Sequence, residues 1–145
     1  MAAVVDTALF ERAADHLLRY HFYPEDVMLH TSDFSLVNRR MRVNDRIVQR
    51  IHVVPGLIDI LTMNELVGVI DEARRAGFAY ATTAKHDEIG QWSAQVQWRD
   101  DASLWLTIDS YGGPDVPWFA RSLARRIQLR AHQRGIVHFR QLIAS

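Results

Sequence analysis

Cysteine is absent from this 145-residue chain. Its absence excludes disulfides, thiolate nucleophiles and cysteine-ligated zinc or iron–sulfur clusters. Lysine is nearly absent: Lys85 is the only one, and the other sixteen basic residues are arginine. Glycine is sparse and never falls in a G-x-G-x-x-G or G-x-x-x-x-G-K-[ST] pattern, so no phosphate cradle and no nucleotide cofactor are expected. No apolar run approaches the roughly 18 residues of a membrane span. The longest are broken by Asp59, Glu65 and Asp71, and no membrane span is expected. Met1 is not followed by a basic segment and an apolar core of about 7–15 residues, so no secretory leader is expected and the predicted location is cytoplasmic. No G-x-S-x-G elbow occurs.

What is present is ordinary for a folded domain: 48% hydrophobic and 23% charged residues. The length suits a single domain over residues 1–145. The 17 basic and 17 acidic residues cancel, but unevenly. Beyond Asp115 there is no acid, while Arg121, Arg125, Arg126, Arg130, Arg134 and Arg140 follow. A basic helix can bind nucleic acid or an anionic membrane, or pair with acids of its own domain. Overall neutrality favours pairing, and no nucleic-acid partner is expected. The same reading holds for the patch Arg39-Arg40-Met41-Arg42 with Arg46 and Arg50, which lacks the interleaved aromatics of a single-strand platform.

Hydrophobic spacing sets out the elements. Asp6 or Thr7 can cap a first helix in which Phe10, Ala13, Ala14, Leu17 and Leu18 share a face, and Pro24 is predicted to stop it. Val27–His30 and Asp45–Val54 read as strands, and Pro55-Gly56 as a turn. Leu57–Met63 and Glu65–Asp71 are predicted to form a tight hairpin about Asn64. Arg74-Arg75-Ala76-Gly77 reads as a turn before the strand Phe78–Thr83. Gln91–Arg99 and Ser103–Tyr111 alternate apolar and polar residues about the turn Asp100-Asp101. Gly112-Gly113-Pro114 then breaks the sheet. In the long final helix, Phe119, Leu123, Ile127, Ala131, Gly135 and Phe139 recur every four residues and are predicted to face the sheet. Gly135 marks either a weak point or a close backbone approach. Consecutive strands between two helices, with no strand–helix alternation, predict an α+β fold. Its form is a curved antiparallel sheet gripping a long C-terminal helix, with the N-terminal helix closing one end.

Seven histidines form no H-x-H, H-x-x-H or H-x-x-x-H pair, so no metal site is expected. Aromatic residues are concentrated in the last strands, and they either pack the core or line a pocket between sheet and helix. The predicted lining residues on the sheet are Phe78, Tyr80, Trp92, Val96, Trp98 and Leu106. Leu123 and Ile127 would contribute from the helix. The segment Gly77–Gly90 offers chemistry: His86 can act as an acid or base with Glu88 orienting it, and Tyr80 can donate to an oxyanion. The plainer reading is a hairpin loop tied by a His–Glu hydrogen bond, and the residues alone favour it.

The segment Gly77-Phe78-Ala79-Tyr80-Ala81-Thr82, followed by His86, Glu88 and Gly90, resembles the signature of uncharacterised protein family 0548. Phe10-Glu11-Arg12-Ala13-Ala14 with Leu17-Leu18, Tyr111, Pro114 and the Arg/Gln-rich helix extend the resemblance over most of the chain. That family is similar to the helix-grip superfamily of START-like and pollen-allergen-like proteins. The resemblance implies a helix-grip fold and supplies no reaction. The expected function is binding of a small apolar molecule in a hollow between sheet and C-terminal helix, without a cofactor. The alternatives are an enzyme using His86 and Glu88 in that hollow, or an interaction domain using the Arg-rich helix. A homodimer is compatible with the sequence and not required by it.

Overall fold

The computed structural model describes residues 5–54, 56–82, 90–111 and 118–145. Helix α1 (Thr7–Leu18) begins where the Asp6 carboxylate accepts the Leu9 amide at 2.8 Å. It buries Phe10, Ala13, Ala14, Leu17 and Leu18, as their spacing requires. The helix ends well before Pro24, because Tyr20 takes the left-handed conformation at φ 61°.

Six strands follow: β1 (Met28–Ser32), β2 (Arg46–Val54), β3 (Ile58–Asp71), β4 (Arg75–Thr82), β5 (Gln91–Trp98) and β6 (Leu104–Tyr111). The one-turn helix α2 (Asp33–Leu36) lies between β1 and β2. Each strand pairs antiparallel with its sequence neighbours, giving one curved open sheet in the order β1 to β6. A 3-10 turn, Trp118–Ala120, leads into the 24-residue helix α3 (Arg121–Ala144). The fold is therefore α+β, as the sequence predicts.

One predicted turn is absent, and the one expected over Arg74-Arg75-Ala76-Gly77 lies slightly earlier, at residues 72–74. Asn64 lies in the middle of the 14-residue β3, opposite Ile47 on one side and Thr82 on the other. Asparagine makes turns by bonding to its own backbone, and here its amide is taken up by side chains of β2 and β4. The reversal between β2 and β3 lies between Val54 and Ile58, where the sequence also predicts a turn, with Gly56 at φ 76° and the Leu57 amide bonded to the Val54 carbonyl. Gly77 is also inside a strand: a Cβ there would come within 2.6 Å of the Ala94 carbonyl oxygen, so β4 and β5 need glycine for their close approach.

The helices cover one face of the sheet. Phe10 stacks on Trp98, and Phe22 packs between Trp92 of β5 and Phe139 of α3. Only the second half of α3 is buried, at Gly135 and Phe139. The predicted row from Phe119 to Phe139 does not face the sheet along its length. Four residues overshoot a helical turn by about 40°, so five such steps carry the row roughly 200° around the axis. Phe139 is buried at one end, while Leu123 and Phe119 are 60% and 69% exposed at the other.

The basic patch of residues 39–50 is largely paired, as expected. Arg39 grips the Asp45 carboxylate through both terminal nitrogens, at 2.7 and 2.9 Å, and Arg50 reaches Asp59 at 2.7 Å. Arg40 joins Asp15 of α1 to Asp71 of β3.

Candidate functional site

On the helix-covered face, strand register brings together polar side chains that lie far apart in sequence. Gln49, Thr62, Asn64, Tyr80 and Thr82 occupy neighbouring inward positions of β2, β3 and β4. Tyr20, leaving α1, closes over them. The Thr82 hydroxyl donates to Asn64 Oδ1 at 3.0 Å, and Asn64 Nδ2 donates to Gln49 Oε1 at 2.9 Å. The Thr62 hydroxyl donates to the same Gln49 oxygen at 2.9 Å. Gln49 Nε2 then donates to the phenol oxygens of Tyr20 and Tyr80, at 2.6 and 3.2 Å. Gln49 and Asn64 are both 2% exposed, so the centre of the ladder is buried and internally satisfied, while Thr62 and Thr82 at its edges are half-buried.

In this orientation the amide protons all run toward the two phenols. Each phenol oxygen accepts from Gln49, and the two oxygens lie 3.3 Å apart, so one phenol proton bridges the pair. The other acceptor in reach of Tyr20 is Met28 Sδ at 3.6 Å, a weak one. Burial raises the pKa of both phenols, that of Tyr20 well above the ordinary value, and holds them protonated.

Beside the ladder stand the aromatic rings. Phe78 and Trp92 lie 5.5 Å apart between ring centres, and Tyr80 stacks on Trp92 at 5.5 Å. Of the predicted lining residues, Phe78, Tyr80, Trp92 and Val96 are buried on this face, while Trp98, Leu106 and Ile127 are half-buried. Leu123 points outward. Space beneath the second half of α3 is filled by Phe22, Trp92 and Phe139. A hollow of about 330 Å³ lies on the opposite face of the sheet, where Gly68, Ala79, Ser93, Gln95, Thr107 and Asp109 line it. His86 and Glu88 lie outside the described residues. The segment that carries them leaves β4 at Thr82, the last rung of the ladder, whose amide bonds the Gly90 carbonyl at 2.9 Å.

Sequence reasoning found Tyr80 and missed Tyr20, Gln49, Thr62, Asn64, Thr82 and His132. One signal was present: Ile47, Gln49 and Ile51 share a strand parity, and a glutamine in an apolar row asks for a buried partner. A domain of unknown function, DUF1990, matches residues 4–137. The chain belongs to this family. No curated protein and no solved structure matches the chain. In this DUF1990 chain no group of three or more histidine, aspartate or glutamate residues is placed to hold a metal ion, among the described residues. Nor is any described helix long and apolar enough to cross a membrane.

His132 of α3 joins the site from the other side. Its Nε2 accepts the Trp92 indole N–H at 3.2 Å, which requires a neutral ring. Burial lowers its pKa and keeps it neutral. A folded pKa below the unfolded value means stability that is complete above about pH 6.5 and is lost as pH falls. The thermal midpoint is therefore expected to drop between about pH 7 and pH 5, with a change in tryptophan emission. His132→Phe should reduce that acid slope without abolishing it, since burial also lowers the pKa of His21 and His30. An unchanged slope in the variant would show that the Trp92–His132 bond contributes nothing.

Proposed function

We propose that the chain is a binding module for a small molecule with an apolar body and a hydrogen-bond acceptor, held on the helix-covered face of the sheet beside the ladder. The observation that supports this most is where the ladder lies. On one side of it is the packed aromatic core. On the other, along the same face, Ile51 is half-buried, while Ile60 and Ile58 are 46% and 53% exposed. An apolar surface left uncovered beside a rung of polar groups suits a ligand with one polar end. The apolar body would lie on Ile51, Ile58 and Ile60, and the acceptor would take the phenol proton now left to Met28. The predicted residues Phe78, Trp92, Val96, Trp98, Leu106 and Ile127 would form the wall behind that polar end, and the outward-facing Leu123 would take no part.

The same reading relates the family to the helix-grip, START-like superfamily and to the 0548 signature. That link rests on the resemblance of Phe78–Gly90 and on the order helix, strands, long helix. An acid–base role for His86 and Glu88, with Tyr80 as donor, is a second proposal. It is favoured by one observation, that their segment springs from the end of the ladder.

Native mass spectrometry of freshly purified protein tests the binding reading. The expected result is a bound small molecule that is lost in Ile60→Asp. A bare chain mass, with no saturable uptake of an apolar fluorescent probe, would rule it out.

A further inference from the structure

The arginines of α3 were expected to pair within the domain, and most do not. Arg134 alone forms an ion pair, with Asp26; among the described residues Arg121, Arg125, Arg126, Arg130 and Arg140 form none. The helix contains no acid. At about 100° per residue, Arg126, Arg130 and Arg140 fall on the side of α3 opposite Gly135 and Phe139. Leu123, Leu129 and Val137 fall on the same outward side and are all more than half exposed. In the turn just before α3, Trp118 and Phe119 extend the apolar surface. A solvated helix face is normally polar throughout, whereas here large apolar side chains alternate with uncompensated cations.

We propose that the outward face of α3 docks the protein on an anionic lipid surface. A helix lying in the interface buries its apolar side chains among the acyl chains near the headgroups, while its arginines meet lipid phosphates. Both halves of the face then find partners. Charge complementarity selects the occupant: the face is cationic and acid-free, and the inner leaflet of a cell membrane is anionic. A nucleic acid would answer the arginines but would leave Leu123, Leu129 and Val137 exposed, since bases stack on aromatic rings and not on aliphatic chains.

Vesicle flotation with the full chain tests the proposal. The protein should float with equimolar phosphatidylcholine–phosphatidylglycerol vesicles, stay behind with phosphatidylcholine alone, and be released by salt. Arg126→Gln/Arg130→Gln should weaken partitioning about 25-fold, or fivefold for each arginine. Leu123→Gln/Leu129→Gln should weaken it as well. All four positions are exposed, so the thermal midpoint should stay at the parent value. The proposal is overturned if the parent does not float with the anionic vesicles, or if either double variant floats as well as the parent. Salt-sensitive binding to a DNA duplex that survives Leu123→Gln/Leu129→Gln would also overturn it. So would a parent dimer that these variants dissociate.

Discussion

Gly135→Ala is expected to destabilise the protein by about 2 kcal/mol, lowering the thermal midpoint by about 4–8 °C. On intrinsic propensity the sign would be reversed, since alanine in a helix interior gains about 1 kcal/mol over glycine. Packing decides against propensity. A Cβ at position 135 would stand 2.2 Å from Cε1 of Phe22 and 2.8 Å from its Cδ1. The Phe22 ring has nowhere to go: it is fully buried, with Trp92 and Phe139 5.9 Å away on either hand. To admit the methyl group, α3 must lift from the sheet, and Phe139 with it. Chemical denaturation of the variant measures the loss. Phe22→Leu should be worth less in the Gly135→Ala background than alone, because the smaller side chain leaves room for the methyl group. A stabilised Gly135→Ala would mean that helix and ring do not meet as described.

The second large effect lies in the ladder. Gln49→Leu is expected to cost about 3 kcal/mol, although leucine suits a buried strand position in every other respect. The amide makes four hydrogen bonds, to Tyr20, Tyr80, Thr62 and Asn64. Its removal takes the shared acceptor from the half-buried Thr62 hydroxyl and from the buried Asn64 amide, which keeps only a 3.4 Å contact with Thr62, and takes a donor from each phenol. The penalty is chiefly one of unmet partners, so removing a partner should return part of it. Gln49→Leu/Asn64→Leu is therefore expected to be less destabilised than the sum of the single variants. Additivity in that cycle, measured by urea denaturation, would show that the two amides act independently.

These two sites also show what could be read from the residues alone. Strands β5 and β6 were legible almost to their ends, because each has one face against the core and one against water, and alternation records that directly. Helix α1 was legible for the matching reason at helical spacing. Asn64 was misread because its residue type signals a turn wherever its side chain is free to fold back, and only the register of β2 and β4 shows that it is occupied. The ladder was illegible because its members are joined across strands, 13 to 18 residues apart or more. The row on α3 was misjudged by geometry. Repeats of four drift around a helix, so Gly135 and Leu123 share a pattern without sharing a face.

The order of elements along the chain has a consequence for assembly. Every strand pairs with its neighbour in sequence, so the sheet closes only short loops and can form as the chain emerges. The seal over Phe22 comes from Gly135 and Phe139, far beyond the last strand. Until α3 arrives, the Phe22 ring and the edge of Trp92 on the finished sheet lack the cover that Gly135, Phe139 and His132 supply. The vulnerable species in synthesis is thus not a partly built sheet but a complete one still waiting for its lid. The Arg12 side chain bonded to the Ser145 carbonyl at 2.9 Å ties the first helix to the end of the last when that wait is over.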